Sequence, residues 1–151
     1  MKNKINKFFA SISKTKNKEG VNSDDYTKEI IKSIEAKPLG ISDKNVIYAA
    51  SNELGGYYYL KTTIVGNFRI KTFKGASLII KASDFELTLK SDMDELESDF
   101  SNVSGRYITN IDFEVNEDVI PKLNTAKIKG LVLSSKKTKV EFSPYIDKNP
   151  T

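Results

Sequence analysis

The chain has 151 residues, 38% hydrophobic and 29% charged, with a formal charge of +4; this is the size of one domain with a real core. It contains no Cys and no His, which excludes disulfides, thiolate nucleophiles, Ser–His–Asp triads and imidazole- or thiolate-bound zinc. The positive charge is local: residues 1–18 hold six Lys and no acid, which leaves −2 on the other 133 residues.

In the opening stretch MKNKINKFFASISKTKNK, Ile5, Phe8, Phe9 and Ile12 share a narrow helical arc, and most lysines lie outside it. Two readings follow from that basic amphipathic pattern. The terminus is disordered or docks on the domain or a neighbouring subunit, or it touches an anionic membrane surface or other polyanion. The apolar run is too short for a secretory signal, and Lys2 stands where myristoylation needs Gly. No run of about 18 apolar residues suggests a membrane span, so the chain is read as cytoplasmic. Residues 1–23 read as leader and linker, 24–146 as a single β-rich globular domain, and 147–151 as a polar tail.

In SDDYTKEIIKSIEAKP, Ser23 or Asp24 offers a cap, and Tyr26, Ile30 and Ile34 recur every four residues before Pro38. That spacing predicts a helix over 24–36 with a narrow apolar stripe. From residue 45 the period becomes two. NVIYAA, YYYLKTTIV, FRIKTF, ASLIIKA and DFELTLK follow one another, the last four separated by Gly66-Asn67, Lys74-Gly75 and Ser83-Asp84. These breaks suit tight turns and predict an antiparallel meander. Alternation sends Tyr58, Leu60, Ile64, Phe68, Ile70, Leu78, Ile80, Phe85, Leu87 and Leu89 to the core. RYITNIDFEV adds Tyr107, Ile111, Phe113 and Val115, and KIKGLVLSS and TKVEFSPY close the pattern. The expected fold is mainly β: about eight antiparallel strands in a sandwich or curled barrel, with one N-terminal helix. NEDVIPKLNT adds a short helical turn near 118–125, capping an open end of the sheet or covering a pocket mouth.

Three features carry candidate chemistry. Asp92, Asp94, Glu97 and Asp99 crowd the stretch SDMDELESDFS and resemble an oxygen-ligand cation site. Counted from Asp92, the calcium-loop Gly position holds Glu97 and the bidentate Glu position holds Val103. A solvated acidic loop with a short helical turn is therefore the simpler reading, and no metal or other cofactor is assigned. Next, Tyr57, Tyr59 and Lys61, then Arg69 and Lys71, then Lys81 alternate outward from the core. Aromatics interleaved with bases suit a polyanion or a protein partner, although Tyr and Lys are also ordinary outward residues of strands. Specific duplex nucleic acid is disfavoured, because the bases include only two Arg and the body lacks net positive charge. Finally, Glu86, Asp112 and Glu114 offer carboxylates for a hydrolase using carboxylates or an oxygen-bound metal, but they point away from the expected core. The favoured function is a non-catalytic binding or protein-interaction module, acting through the Tyr/Lys face or the end near the helical turn. Its partner is another protein or a second copy of the chain.

Overall fold

A computed structural model describes residues 19–136 and 138–146; the leader 1–18 and the tail 147–151 lie outside them. The chain is mainly β. Helix α1 (Glu19–Ser33) precedes β1 (Gly40–Ile41), β2 (Asn45–Leu54), β3 (Tyr57–Gly66), β4 (Lys71–Thr72), β5 (Ser77–Ala82) and β6 (Glu86–Lys90). There follow β7 (Leu96–Glu97), β8 (Asp99–Ser101), β9 (Arg106–Val115), helix α2 (Val119–Thr125), β10 (Ile128–Ser135) and β11 (Thr138–Pro144). Nine strands form one antiparallel sheet in the order β6-β5-β10-β11-β1-β2-β3-β9-β8, and β4 pairs with β7 apart from it. The sheet curls: Ser91, just past edge strand β6, bridges Phe113 of β9, and the Asp92 N–H donates to the Asp112 carbonyl at 2.8 Å. This is a half-barrel drawn partly closed.

Local chemistry makes hairpins, three of them between the longer strands. Gly55 and Gly56, both at positive φ, form the two-residue turn between β2 and β3 and match the twist of paired strands. Ser83 and Asp84 turn β5 into β6, and Lys136 (φ 52°) lies in the β10–β11 turn. The order is not a plain meander, however. FRIKTF buries Phe68, Ile70 and Thr72 and crosses the core, so the neighbour of β3 is β9 rather than the next strand in sequence.

Alternation assigned the inner face correctly at Leu60, Ile64, Phe68, Ile70, Leu78, Ile80, Leu89, Ile111, Phe113 and Val115, all buried. Tyr58 and Leu87 pack at its margin. Phe85 and Tyr107 do not join it. Phe85 is half-buried beneath the Lys122 ammonium, and Tyr107 is held between Phe100 and the Arg69 guanidinium.

A second, smaller core lies on the convex face, where α1 sets Ile30 on Val46, Tyr48 and Val65. Full burial of one such Ile contributes about 1.5–3 kcal/mol. The helix differs from its expected span. It begins inside the stretch read as linker and stops at Ser33, whose hydroxyl donates to the Ile30 carbonyl at 2.7 Å and competes with a further helical turn. Among the described residues, no helix is long and apolar enough to cross a membrane.

Tyr48 supplies a stability test. Its side chain is 7% exposed, and its hydroxyl has no hydrogen-bond partner among the described residues. Burial, then the neighbouring Tyr145, raises its pKa above the ordinary 10.0. The unfolded chain therefore releases this proton first, and the stability it carries falls as pH rises through that value. Tyr48→Phe should leave neutral-pH stability unchanged or raise it by about 1 kcal/mol, and should flatten the alkaline loss. Urea unfolding at neutral pH and above pH 10 checks both, and a clear loss at neutral pH would reveal a partner for the hydroxyl.

Candidate functional site

Helix α1 covers only one end of the convex face of β2, β3 and β9. Among the described residues nothing covers the other end, and the strand register determines its surface. Leu54 pairs with Tyr57, Asn52 with Tyr59 and Ala50 with Lys61; across the next ladder Tyr59 pairs with Glu114 and Lys61 with Asp112. Period-two geometry sends Tyr57, Tyr59 and Lys61 to this same face. Leu54 and Tyr57 are largely exposed, and Tyr59 is half-buried. The result is a short aromatic row with a carboxylate strand along one flank.

Its electrostatics differ from the expected basic surface. The Lys61 ammonium lies 3.3 Å from the Asp112 carboxylate. Partial desolvation, then the Asp92 and Glu114 carboxylates, raises the Tyr59 pKa, with smaller contributions from Tyr57 and Asp112. On the concave side Tyr58 is raised mainly by Glu117 and then Glu53. Negative charge surrounds the tyrosines because the β6–β9 bridge brings Asp92 beside a strand that already carries Asp112 and Glu114.

The expected site residues thus divide. Tyr57, Tyr59 and Lys61 come together. Arg69 does not join them; its guanidinium lies 5.5 Å from the Tyr107 ring centroid, and Tyr107 pairs with Gly66 at the far end of β3. Lys71 sits opposite Glu97 in the β4–β7 pair. Lys81 lies on β5, five strands from β3 in the sheet order and opposite Glu86. Tyr57, Lys61, Arg69, Lys71 and Lys81 are exposed and Tyr59 is half-buried, but strand order decided which of them are neighbours.

The acidic stretch is also dispersed. No short helical turn forms there: Leu96 is buried in β7, while Asp92, Asp94, Glu97 and Asp99 are exposed along successive short elements. Among the described residues no group of three or more carboxylates converges on a possible cation position. Of the hydrolase candidates, Asp112 and Glu114 share β9, whereas Glu86 lies on β6 at the far edge of the sheet.

The end near α2 holds a cavity of about 140 Å³ between β2, β3, β5, β10 and the helix. Ala49, Leu60, Ile80, Ile120, Leu123 and Ile128 line it, with Ser51 and Asn124 as the polar side chains and no carboxylate. The helix both fills the core, through buried Val119, and roofs this space through Ile120 and Leu123. The small residues Ala49 and Ser51, at successive positions on one face of β2, were the sequence signal for a gap there.

Comparison with protein-family models, with curated proteins and with solved structures finds no match to this chain.

Proposed function

We propose that this protein is a non-catalytic interaction module that engages a basic segment of a partner protein through the Tyr57–Tyr59 face. The observation that carries this reading is the row of Tyr57 and Tyr59 flanked by Asp92 and Glu114, whose carboxylates, unlike that of Asp112, make no ion pair among the described residues. Tyr rings give amphipathic contact area at small conformational cost. Their faces attract Lys and Arg cations, and carboxylates beside them supply charge-assisted hydrogen bonds and steer the approach of a basic partner. The Lys61–Asp112 pair favours a basic partner over a polyanion, because the strand's outward lysine is already neutralised. A roofed apolar cavity without carboxylates, and Glu86 set apart from Asp112 and Glu114, favour binding over hydrolysis.

Fluorescence anisotropy of a labelled oligolysine peptide with the full chain tests the proposal. Tyr59→Ala should weaken binding about fivefold or more, as expected for an aromatic contact worth at least about 1 kcal/mol. Its stability should fall by no more than about 1 kcal/mol, the scale of a lost cross-strand pair. Glu114→Lys should weaken binding further and reduce its salt dependence. An unchanged affinity in both variants would refute the proposal.

A further inference from the structure

The rim opposite α2 carries a different chemistry. There the start of β5, the end of β6, the end of β10 with Lys136, and the loop before β5 surround a depression of about 270 Å³, lined by Lys74, Lys90 and Lys136 with Ser77 and Ser134. The ladder register builds its floor. Lys90 pairs with Ser77, Ser77 with Ser134 and Ser134 with Lys139, so one row across β6, β5, β10 and β11 reads Lys–Ser–Ser–Lys. Leu78, Leu89 and Leu133, the sequence neighbours of these residues, are buried on the concave side, which turns the row outward. Three strand spacings separate the two lysines, about 14 Å. Lys139 ends the row outside the depression, and Lys90, with Lys74 and Lys136 of the lining, stands around the serines.

Among the described residues the two serine hydroxyls make no hydrogen bond, and none of these lysines is paired with a carboxylate; Asp94 is the lone acid in the lining. Two unengaged hydroxyls between unpaired ammonium groups match an ion with several strong acceptor oxygens and at least one full negative charge. We infer that this rim is a binding site for a phosphomonoester group. Its lysines give it a charge opposite to that of the tyrosine face. Phe73 and Met93, exposed beside Lys74 and Asp94 in the chain, also give the rim an apolar fringe suited to a phosphate borne on a lipid.

The test uses the full chain, isotope-labelled, with inorganic phosphate as probe and chloride at matched ionic strength as control. Phosphate should produce saturable shifts of the Ser77, Ser134 and Lys90 amides that chloride does not. The double variant Lys90→Glu, Lys136→Glu should weaken them at least tenfold, and Ser77→Ala with Ser134→Ala should weaken them without any change of charge. Shifts that fail to saturate, that chloride reproduces, or that persist in both variants would overturn the inference. A second arm identifies the bearer of the phosphate. Sedimentation with phosphatidic acid vesicles, but not phosphatidylcholine vesicles, that is lost in the Lys double variant and in Phe73→Ala assigns it to a lipid. Sedimentation unchanged in those variants, when the parent chain shows saturable phosphate shifts that the Lys double variant loses, assigns it to a soluble ligand, since residues 1–18 remain in every chain compared.

Discussion

Phe113→Ala should lower the unfolding free energy by about 3–5 kcal/mol. Phe113 is fully buried in the second half of β9, faces Leu60 across the β3 ladder, and is the residue to which Ser91, just past β6, bridges. Removing the ring takes away its transfer free energy and leaves a cavity that two strands fixed by their own ladders cannot collapse to fill. A loss of that size is a large fraction of the about 5–15 kcal/mol typical of a whole domain. Urea unfolding followed by far-UV circular dichroism should show the midpoint shift strongly. The bridge at Ser91 should loosen with it, seen as faster amide exchange at Asp92, which donates to the Asp112 carbonyl. Val103→Ala, at a position 99% exposed, should leave the midpoint in place.

Gly66→Ala is expected to cost about 3 kcal/mol or more, although it adds a single methyl group. Gly66 ends β3 with φ +153°, and a Cβ there would overlap the Lys44 carbonyl oxygen and the Asn45 side-chain oxygen and come within 2.8 Å of the Asn45 Cα. These atoms have no freedom to retreat. The buried Asn45 accepts from the Phe68 N–H at 2.8 Å and donates to Asn67 at 3.0 Å, and the Asn67 N–H donates to the Lys44 carbonyl. That network turns the chain out of β3 and into the core crossing. Its disruption should leave Phe68 poorly packed and the β2–β3 hairpin intact. Asn45→Ala, which removes the network without adding bulk, should cost less than Gly66→Ala. A Gly66→Ala variant as stable as the parent would mean that this turn is not held as described.

Much of the fold was legible because period-two alternation is a local property: Leu60, Ile64, Leu78, Ile80, Ile111 and Phe113 could be assigned to one face from their neighbours alone. What stayed hidden was partnership at a distance. Nothing near Tyr59 in sequence announces Glu114 or Asp92, yet they set the charge around its ring, because β9 rather than the FRIKTF segment lies beside β3. For the same reason Arg69, Lys71 and Lys81 read as one surface with the tyrosines and are scattered in space, while Lys90, Ser77, Ser134 and Lys139 read as unrelated and stand in one row. Helix α1 was legible from Tyr26 and Ile30, but its end depended on the single hydroxyl of Ser33. The half-buried Phe85 and Tyr107 show that an aromatic ring on an inward position still leaves the core when a cation is placed to cover it.

The central claim is that the open end of the convex face, with its tyrosines and carboxylates, is where a basic partner binds. Amide chemical-shift mapping of the full chain with oligolysine tests it most directly. Saturable shifts should concentrate at Asn52, Tyr57–Lys61 and Asp112–Glu114, and should spare Val46 and Val65 beneath α1 as well as Lys81 on β5. Shifts confined to other carboxylates, such as Glu86 and Asp84, or spread evenly over the acidic residues without saturation, would contradict the account.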